Sequence, residues 1–205
     1  MFKTPNFRGW AALVAHRPSD NISRLIQQLE RLGMYVDLVW PTIDPASMHA
    51  DVVFFDGDNS FDELFPWSPG NAPVPLIALL ATEAPGRLEW VLQQGVSAHL
   101  LKPIGSGGVF STLVIASANF ARQQTLNTEI SELKKRVQLR PVVLRAVFAV
   151  MSELQLNDDQ AFSLIRQEAM RRRQSVEAFC QALTVNGSPR LSGVLCQGVP
   201  QRKVP

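Results

Sequence analysis

Five short runs rich in apolar residues fall within the first hundred or so positions, and their spacing restricts the fold more than any other feature. They are Trp10–Ala15 (WAALVA), Tyr35–Trp40, Val52–Phe55 ending at Asp56, Leu76–Ala81 and Ala98–Leu101. Runs this short and this apolar predict strands buried on both faces. Between the first two, Asn21–Leu32 sets Ile22, Leu25, Ile26, Leu29 and Leu32 on one helical face, with Gly33 placed to close the helix. Pro85–Gly95 predicts a second helix, before the fifth run. The segments 41–51 and 57–74 are rich in Pro, Asp and Gly and predict only short or distorted helices.

Strands alternating with helices imply a parallel sheet covered on both sides. Five strands in this order give a flavodoxin-like, doubly wound α/β domain. Asp56 ends the third strand, and Lys102-Pro103 follows the fifth. On these residues the domain resembles the receiver domain of two-component response regulators. That resemblance implies a candidate phosphoacceptor at Asp56, with Lys102 neutralising phosphoryl charge. Two other parts of a receiver are absent. Ala15-His16 stands where an acidic pair is expected, and Leu80 replaces the switch Ser or Thr. Phosphoryl transfer to a carboxylate needs a divalent cation, and hard cations take several oxygen ligands. The expectation is a pseudo-receiver used for protein contacts, with Asp56 paired to Lys102; a phosphorylation switch is the alternative.

From Gly108 to Leu139 the pattern becomes one long helix. Val109, Leu113, Ala116 and Phe120 suit packing on the sheet. Leu126, Ile130, Leu133 and Val137 then follow at spacings of four, three and four, the seam of a coiled coil, and predict a parallel homodimer. Pro141 removes a helical hydrogen bond and is expected to kink or restart the chain. Val142–Leu154 is apolar on nearly every side and is expected to be buried all round, inside a three-helix domain or against a second subunit. Ala161–Arg173 (AFSLIRQEAMRRR) repeats apolar residues at helical spacing. Asn157 and Gln160 are set for a capping box, Asp158 and Asp159 lie in the first turn, and arginines cluster at the far end. Ser175 is placed to cap a third helix, Val176–Leu183, and Val185–Pro205 reads as a flexible basic tail.

The pairs Ala161-Phe162, Ile165-Arg166 and Ala169-Met170 resemble the core of the ANTAR domain, the RNA-binding module of bacterial transcription antitermination regulators. Arg140-Pro141-Val142-Val143, Ala146 and Met151 match the family's first helix, and Val176, Phe179 and Leu183 match its third. The whole chain is similar to ANTAR-domain response regulators that carry a receiver-like domain, a coiled coil and an ANTAR domain in that order. The resemblance implies binding to hairpin RNA in a leader transcript, and a regulatory sensor protein acting on the receiver-like domain. The candidate RNA-binding residues are Arg140, Arg145, Arg166, Arg171, Arg172 and Arg173, with Arg166 at the family's arginine position. Guanidinium groups suit this work because they bind phosphates bidentately and stack on unpaired bases. The chain departs from the family at Leu144, at Val147 and Phe148 (usually Lys and Gly) and at Gln155 (usually Gly). The alternative reading is therefore a protein-interaction module with a degenerate, RNA-silent ANTAR domain.

The expected organisation is 1–118 receiver-like domain, 119–140 coiled-coil helix, 141–184 ANTAR domain and 185–205 tail. Charge divides along the same line. Residues 1–120 hold 7 Lys or Arg against 11 Asp or Glu, and residues 121–205 hold 13 against 7, so a polyanion is expected to meet the back half. No catalytic constellation is present. His16, His49 and His99 make no metal spacing, the glycines after Pro103 match no nucleotide loop, and no cofactor or metal is expected. Cys180 and Cys196 form no disulfide framework. No apolar run reaches bilayer length and no secretory signal opens the sequence, so a cytoplasmic protein that is not an enzyme is expected.

Overall fold

A computed structural model describes residues 4–45, 49–59 and 62–183. The five runs form strands β1 (Ala11–Ala15), β2 (Tyr35–Val39), β3 (Val52–Asp56), β4 (Leu76–Leu80) and β5 (Ala98–Leu101). They make one parallel sheet in the order β2-β1-β3-β4-β5, the doubly wound order expected from the alternation. The central β3 and β4 are buried along their whole length, whereas edge strand β2 leaves Tyr35 and Leu38 exposed.

Because successive strand residues point to opposite faces, the sheet feeds two half-cores. Val14, Phe54, Ile77 and Leu79 face helix α1 (Asp20–Arg31) and the first turns of α3 (Val109–Leu154). Leu13, Val53, Phe55, Ala78 and Leu80 face helix α2 (Pro85–Gln93) and a 3-10 turn at Asp62–Leu64. Ser19 caps α1 by accepting from the Ile22 amide. Gly33, at φ +80°, closes it, with the Met34 amide reaching back to the Leu29 carbonyl.

Helix α3 runs 46 residues without a break and carries Pro141 inside it. The expected restart at Pro141 does not occur. Pro141 leaves the Val137 carbonyl without its helical donor, a cost of about 3 kcal/mol in a helix interior. Val142, Val143, Ala146 and Val150 hold the next turns to the C-terminal core, so packing overrides the local penalty. Within the single chain Val142–Leu154 is buried on one side only, and burial of the rest is left to a second subunit, the other setting the apolar pattern allows. Leu144 and Phe148 are 57% and 63% exposed, because α4 (Asp158–Arg171) and α5 (Val176–Leu183) cover only one side of the helix.

The C-terminal core is built on small contacts. Ala146, Ala161 and Ala169 are buried against Val150, Ile165, Phe179, Cys180 and Leu183. Alanines let helix backbones approach closely, and burial pushes the Cys180 thiol up to about 11, with the Glu177 charge adding to it. The Asn157–Gln160 capping box forms in both directions, and the Ser175 hydroxyl accepts from the Ala178 amide. The segment 185–205 lies outside the described residues.

Candidate functional site

At the C-terminal edge of the sheet, β3, β5 and the loop after β1 bring four side chains together. Lys102 Nζ is 3.1 Å from Asp56 Oδ1 and 2.6 Å from Asp58 Oδ2. His16 Nε2 lies 3.1 Å from the same ammonium and 3.5 Å from Asp56 Oδ1. The Asn59 amide donates to Asp56 Oδ2, and the Asp58 amide donates to Oδ1. Both Asp56 oxygens are thus engaged, and the residue is 2% exposed. Asp58 accepts from the Ala81 amide and from Arg87 as well. Burial pushes the Asp58 carboxyl up, but the Lys102 and backbone hydrogen bonds outweigh it and hold the group below its ordinary value.

The expected Asp56–Lys102 pair is present, and the Lys102–Pro103 bond is cis. The lysine's closer partner is Asp58, the carboxylate two residues after Asp56 in the sequence; the supporting Asn59 and Arg87 were not singled out as site residues. Asp58 and Asn59 lie two and three residues from Asp56, whereas Arg87 comes from α2, 29 residues beyond Asp58, so their convergence is tertiary. Among the described residues, no group of three or more His, Cys, Asp or Glu side chains is placed to hold a metal ion.

In the C-terminal unit the candidate arginines divide into three settings. Glu168 holds two of them. Its carboxylate takes the Arg171 guanidinium through Nε at 2.8 Å and Nη2 at 2.5 Å, and Arg172 Nε at 2.8 Å. Arg172 also lies over the Phe179 ring, 5.3 Å from its centroid. The Arg171 hydrogen bond, opposed by burial and supported by the Arg172 hydrogen bond and both guanidinium charges, lowers Glu168 to about 2.

Arg166 is exposed and sits between Phe162 and Met170, which are 43% and 67% exposed. These residues fall at i, i+4 and i+8, one stripe of α4 beside the buried one. Arg173, also exposed, follows the helix with φ 54°. Arg140 and Arg145 are both exposed on α3, but five residues place them about 140° apart around the helix. Arg140 lines a groove with Arg136, and Arg145 does not. Among the described residues, Arg140, Arg145, Arg166 and Arg173 have no ion pair. The seam residues Leu126, Ile130, Leu133 and Val137 are 43–58% exposed in the single chain.

A five-stranded parallel receiver-like domain, a long helix and two short helices closing a three-helix unit define a response-regulator class with a C-terminal effector module. The sequence family described as AmiR, N-terminal, matches residues 10–117, and the ANTAR domain family matches residues 131–183. The chain is 24% identical over 184 residues to the aliphatic amidase regulator of Pseudomonas aeruginosa, covering 88% of this chain and 94% of that one. It is 25% identical over 117 residues to the transcriptional regulatory protein PdtaR of Mycobacterium tuberculosis, covering 57% of each. A crystal structure of a two-component response regulator from Clostridium difficile aligns with 62% of this chain and 98% of that one, at 16% identity and a TM-score of 0.37. The chain belongs to the ANTAR-domain transcription antitermination regulators related to the aliphatic amidase regulator, a regulatory and non-enzymatic family. No helix among the described residues is long and apolar enough to cross a membrane.

Proposed function

We propose that the chain is a dimeric antitermination regulator whose C-terminal three-helix unit binds hairpin RNA and whose receiver-like unit takes a regulatory sensor protein without being phosphorylated. The observation that carries the RNA reading is that Arg166, Arg140 and Arg173 are exposed and have no ion pair among the described residues, with Phe162 and Met170 exposed on the same unit. Guanidinium groups next to apolar and aromatic surface suit a folded RNA with unpaired bases. The seam from Leu126 to Val137 supports the dimer, since a helix that exposes this stripe gains by burying it on a second copy. In the front unit Lys102 already pairs with Asp56 and Asp58, Arg87 adds a second cation at Asp58, and His16 supplies no carboxylate for a divalent ion.

Binding of full-length protein to a leader hairpin is expected to weaken with salt, with a slope of about −0.7 to −0.9 per neutralised phosphate. Arg166→Ala combined with Arg173→Ala should weaken binding; unchanged affinity would reject this surface. Leu133→Asp should convert the dimer to a monomer in sedimentation. A small-molecule phosphodonor with Mg²⁺ should leave the mass of the chain unchanged at Asp56. The RNA-silent alternative draws on Val147, which stands at the family's lysine position and packs against the core instead of offering a charge. It predicts hairpin retention no greater than that of unrelated duplex RNA.

A further inference from the structure

The apolar stripe of α3 does not end at Val137. At about 100° per residue, Ile130, Leu133, Val137, Leu144 and Phe148 fall within an arc of about 60° around the helix, and each is exposed. The helix stays continuous past Pro141, so the stripe runs on into the C-terminal unit. Along one flank of it, the flank of Arg136 and Val143, lies an open groove of about 390 Å³. Val143, Phe162 and Val176 give the groove apolar walls, and Arg140 and Glu177 line it as well. The volume lies within the range of pockets that hold a small apolar ligand, about 300–1,000 Å³, which is room for a phenyl ring.

We propose that this groove is filled by Phe148 of a second copy of the chain, reciprocally, in a parallel dimer. The inference rests on the dimer reading above and extends the interface from the seam into the three-helix unit. In a parallel pair, a residue on one flank of the seam meets the residue five further along on the partner's opposite flank. Val143 stands on the groove's flank, and Phe148, five further along, stands on the other. A two-fold axis therefore brings each Phe148 to the other chain's groove at the same time. There the ring meets the Val143 side chain and the ring of Phe162, the kind of aromatic contact found at the dry centre of interfaces. The family usually has glycine at position 148, so this contact is particular to the present chain.

Charge supports the same occupant and the same direction. Glu129 and Lys134 are exposed, lie five residues apart on opposite flanks of the seam, and have no ion pair among the described residues. Parallel pairing sets each Glu129 beside the partner's Lys134. Arg140 takes the seam position seven after Leu133, where it faces its own copy. It also lines the groove that Glu177 lines, so each of the two arginines has an acid on its own side of the axis. This assigns Arg140 to the dimer and leaves Arg166 and Arg173 to the RNA.

The test uses the full-length chain, with the dimer Kd read by sedimentation equilibrium. Phe148→Ala should raise that Kd about a hundredfold, because two rings leave the interface and each is worth about tenfold. Its circular dichroism spectrum should stay unchanged, because the side chain is exposed in the single chain. Placement is read independently by cross-linking. Chains carrying Phe148→Cys and chains carrying Phe162→Cys, both with Cys196→Ser, are mixed and gently oxidised; Cys180 is buried and takes no part. A covalent dimer should form in the mixture and in neither chain alone. An unchanged Kd in Phe148→Ala overturns the proposal, and loss of hairpin affinity in that still dimeric variant gives the ring to RNA instead. A mixture without covalent dimer also overturns it, as does a covalent dimer of Phe148→Cys alone, which sets the two rings against each other. A wild type that sediments as a monomer removes the dimer reading itself, a result separate from failure of the groove alone.

Discussion

Lys102 lies closer to Asp58 than to Asp56, with its ammonium 2.6 Å from Asp58 Oδ2 and 3.1 Å from Asp56 Oδ1. One cation therefore serves two carboxylates, and its side chain is only 11% exposed. Lys102→Met would leave buried Asp56 without its cation, while Asp58 keeps Arg87. Breaking a buried pair from one side costs about 3–5 kcal/mol, and urea unfolding of the variant should show a loss of that order. Asp56→Asn added to Lys102→Met should recover part of it. Unchanged stability in the single variant would show that Arg87, His16 and Asn59 carry the site without the lysine.

Glu168 gives a pH signature. Its folded value of about 2 lies below its ordinary 4.5, so its contribution to stability is complete above about 4.5 and is lost as pH falls toward about 2. Glu168→Gln should flatten this part of the acid-unfolding curve of the C-terminal unit, measured by circular dichroism. The same substitution releases Arg171 and Arg172 from their shared carboxylate. If those guanidinium groups meet RNA phosphate, Glu168→Gln should raise hairpin affinity and steepen its salt dependence.

Gln155 closes α3 with φ 52°, in the left-handed region that glycine adopts without strain. The Leu156 amide bonds back to the Met151 carbonyl, and Gln155 Nε2 donates to the Ser152 carbonyl. Gln155→Gly removes the strain and loses the side-chain bond, for a net gain of about 0.5–1 kcal/mol. Gln155→Ala loses the bond without relief and should fall below the wild type. Thermal unfolding of the two variants gives the order.

Pro141→Ala restores the donor that the Val137 carbonyl lacks. Because α3 is already continuous there, the substitution should stabilise the protein by up to about 3 kcal/mol, read as a raised denaturant midpoint with an unchanged slope. A lower midpoint would show that the proline ring itself makes packing that the backbone gain does not offset.

The sheet was legible in the sequence because it depends on local apolar runs such as Val52–Phe55 and on the helices between them. Helix ends were legible for the same reason: Ser175, Gly33 and the Asn157–Gln160 box each act within a few residues. The restart expected at Pro141 does not occur because the contacts of Val142, Ala146 and Val150, which exist only once α4 and α5 are in place, outweigh the local penalty. The pairing of Arg171 and Arg172 by Glu168 had an i+3 and i+4 signal that the basic composition of the stretch masked. By spacing Met170 suits the buried face and Phe162 suits either the core or a base contact; both are exposed. The groove joining Phe162 to Arg136, Arg140 and Glu177 is tertiary, and no spacing along the chain encodes it.

The turn between α4 and α5 has little slack. The Arg173 and Gln174 amides donate back to the Met170 and Ala169 carbonyls, while the Ala178 and Phe179 amides donate back to the Ser175 hydroxyl and carbonyl. Both ends of this short bridge are tied, and the guanidinium of Arg172 rests on a ring from the next helix. Such a corner cannot hinge without breaking its own knots. A molecule arriving there meets a surface whose shape is set in advance, so little rotational freedom remains to be surrendered on contact.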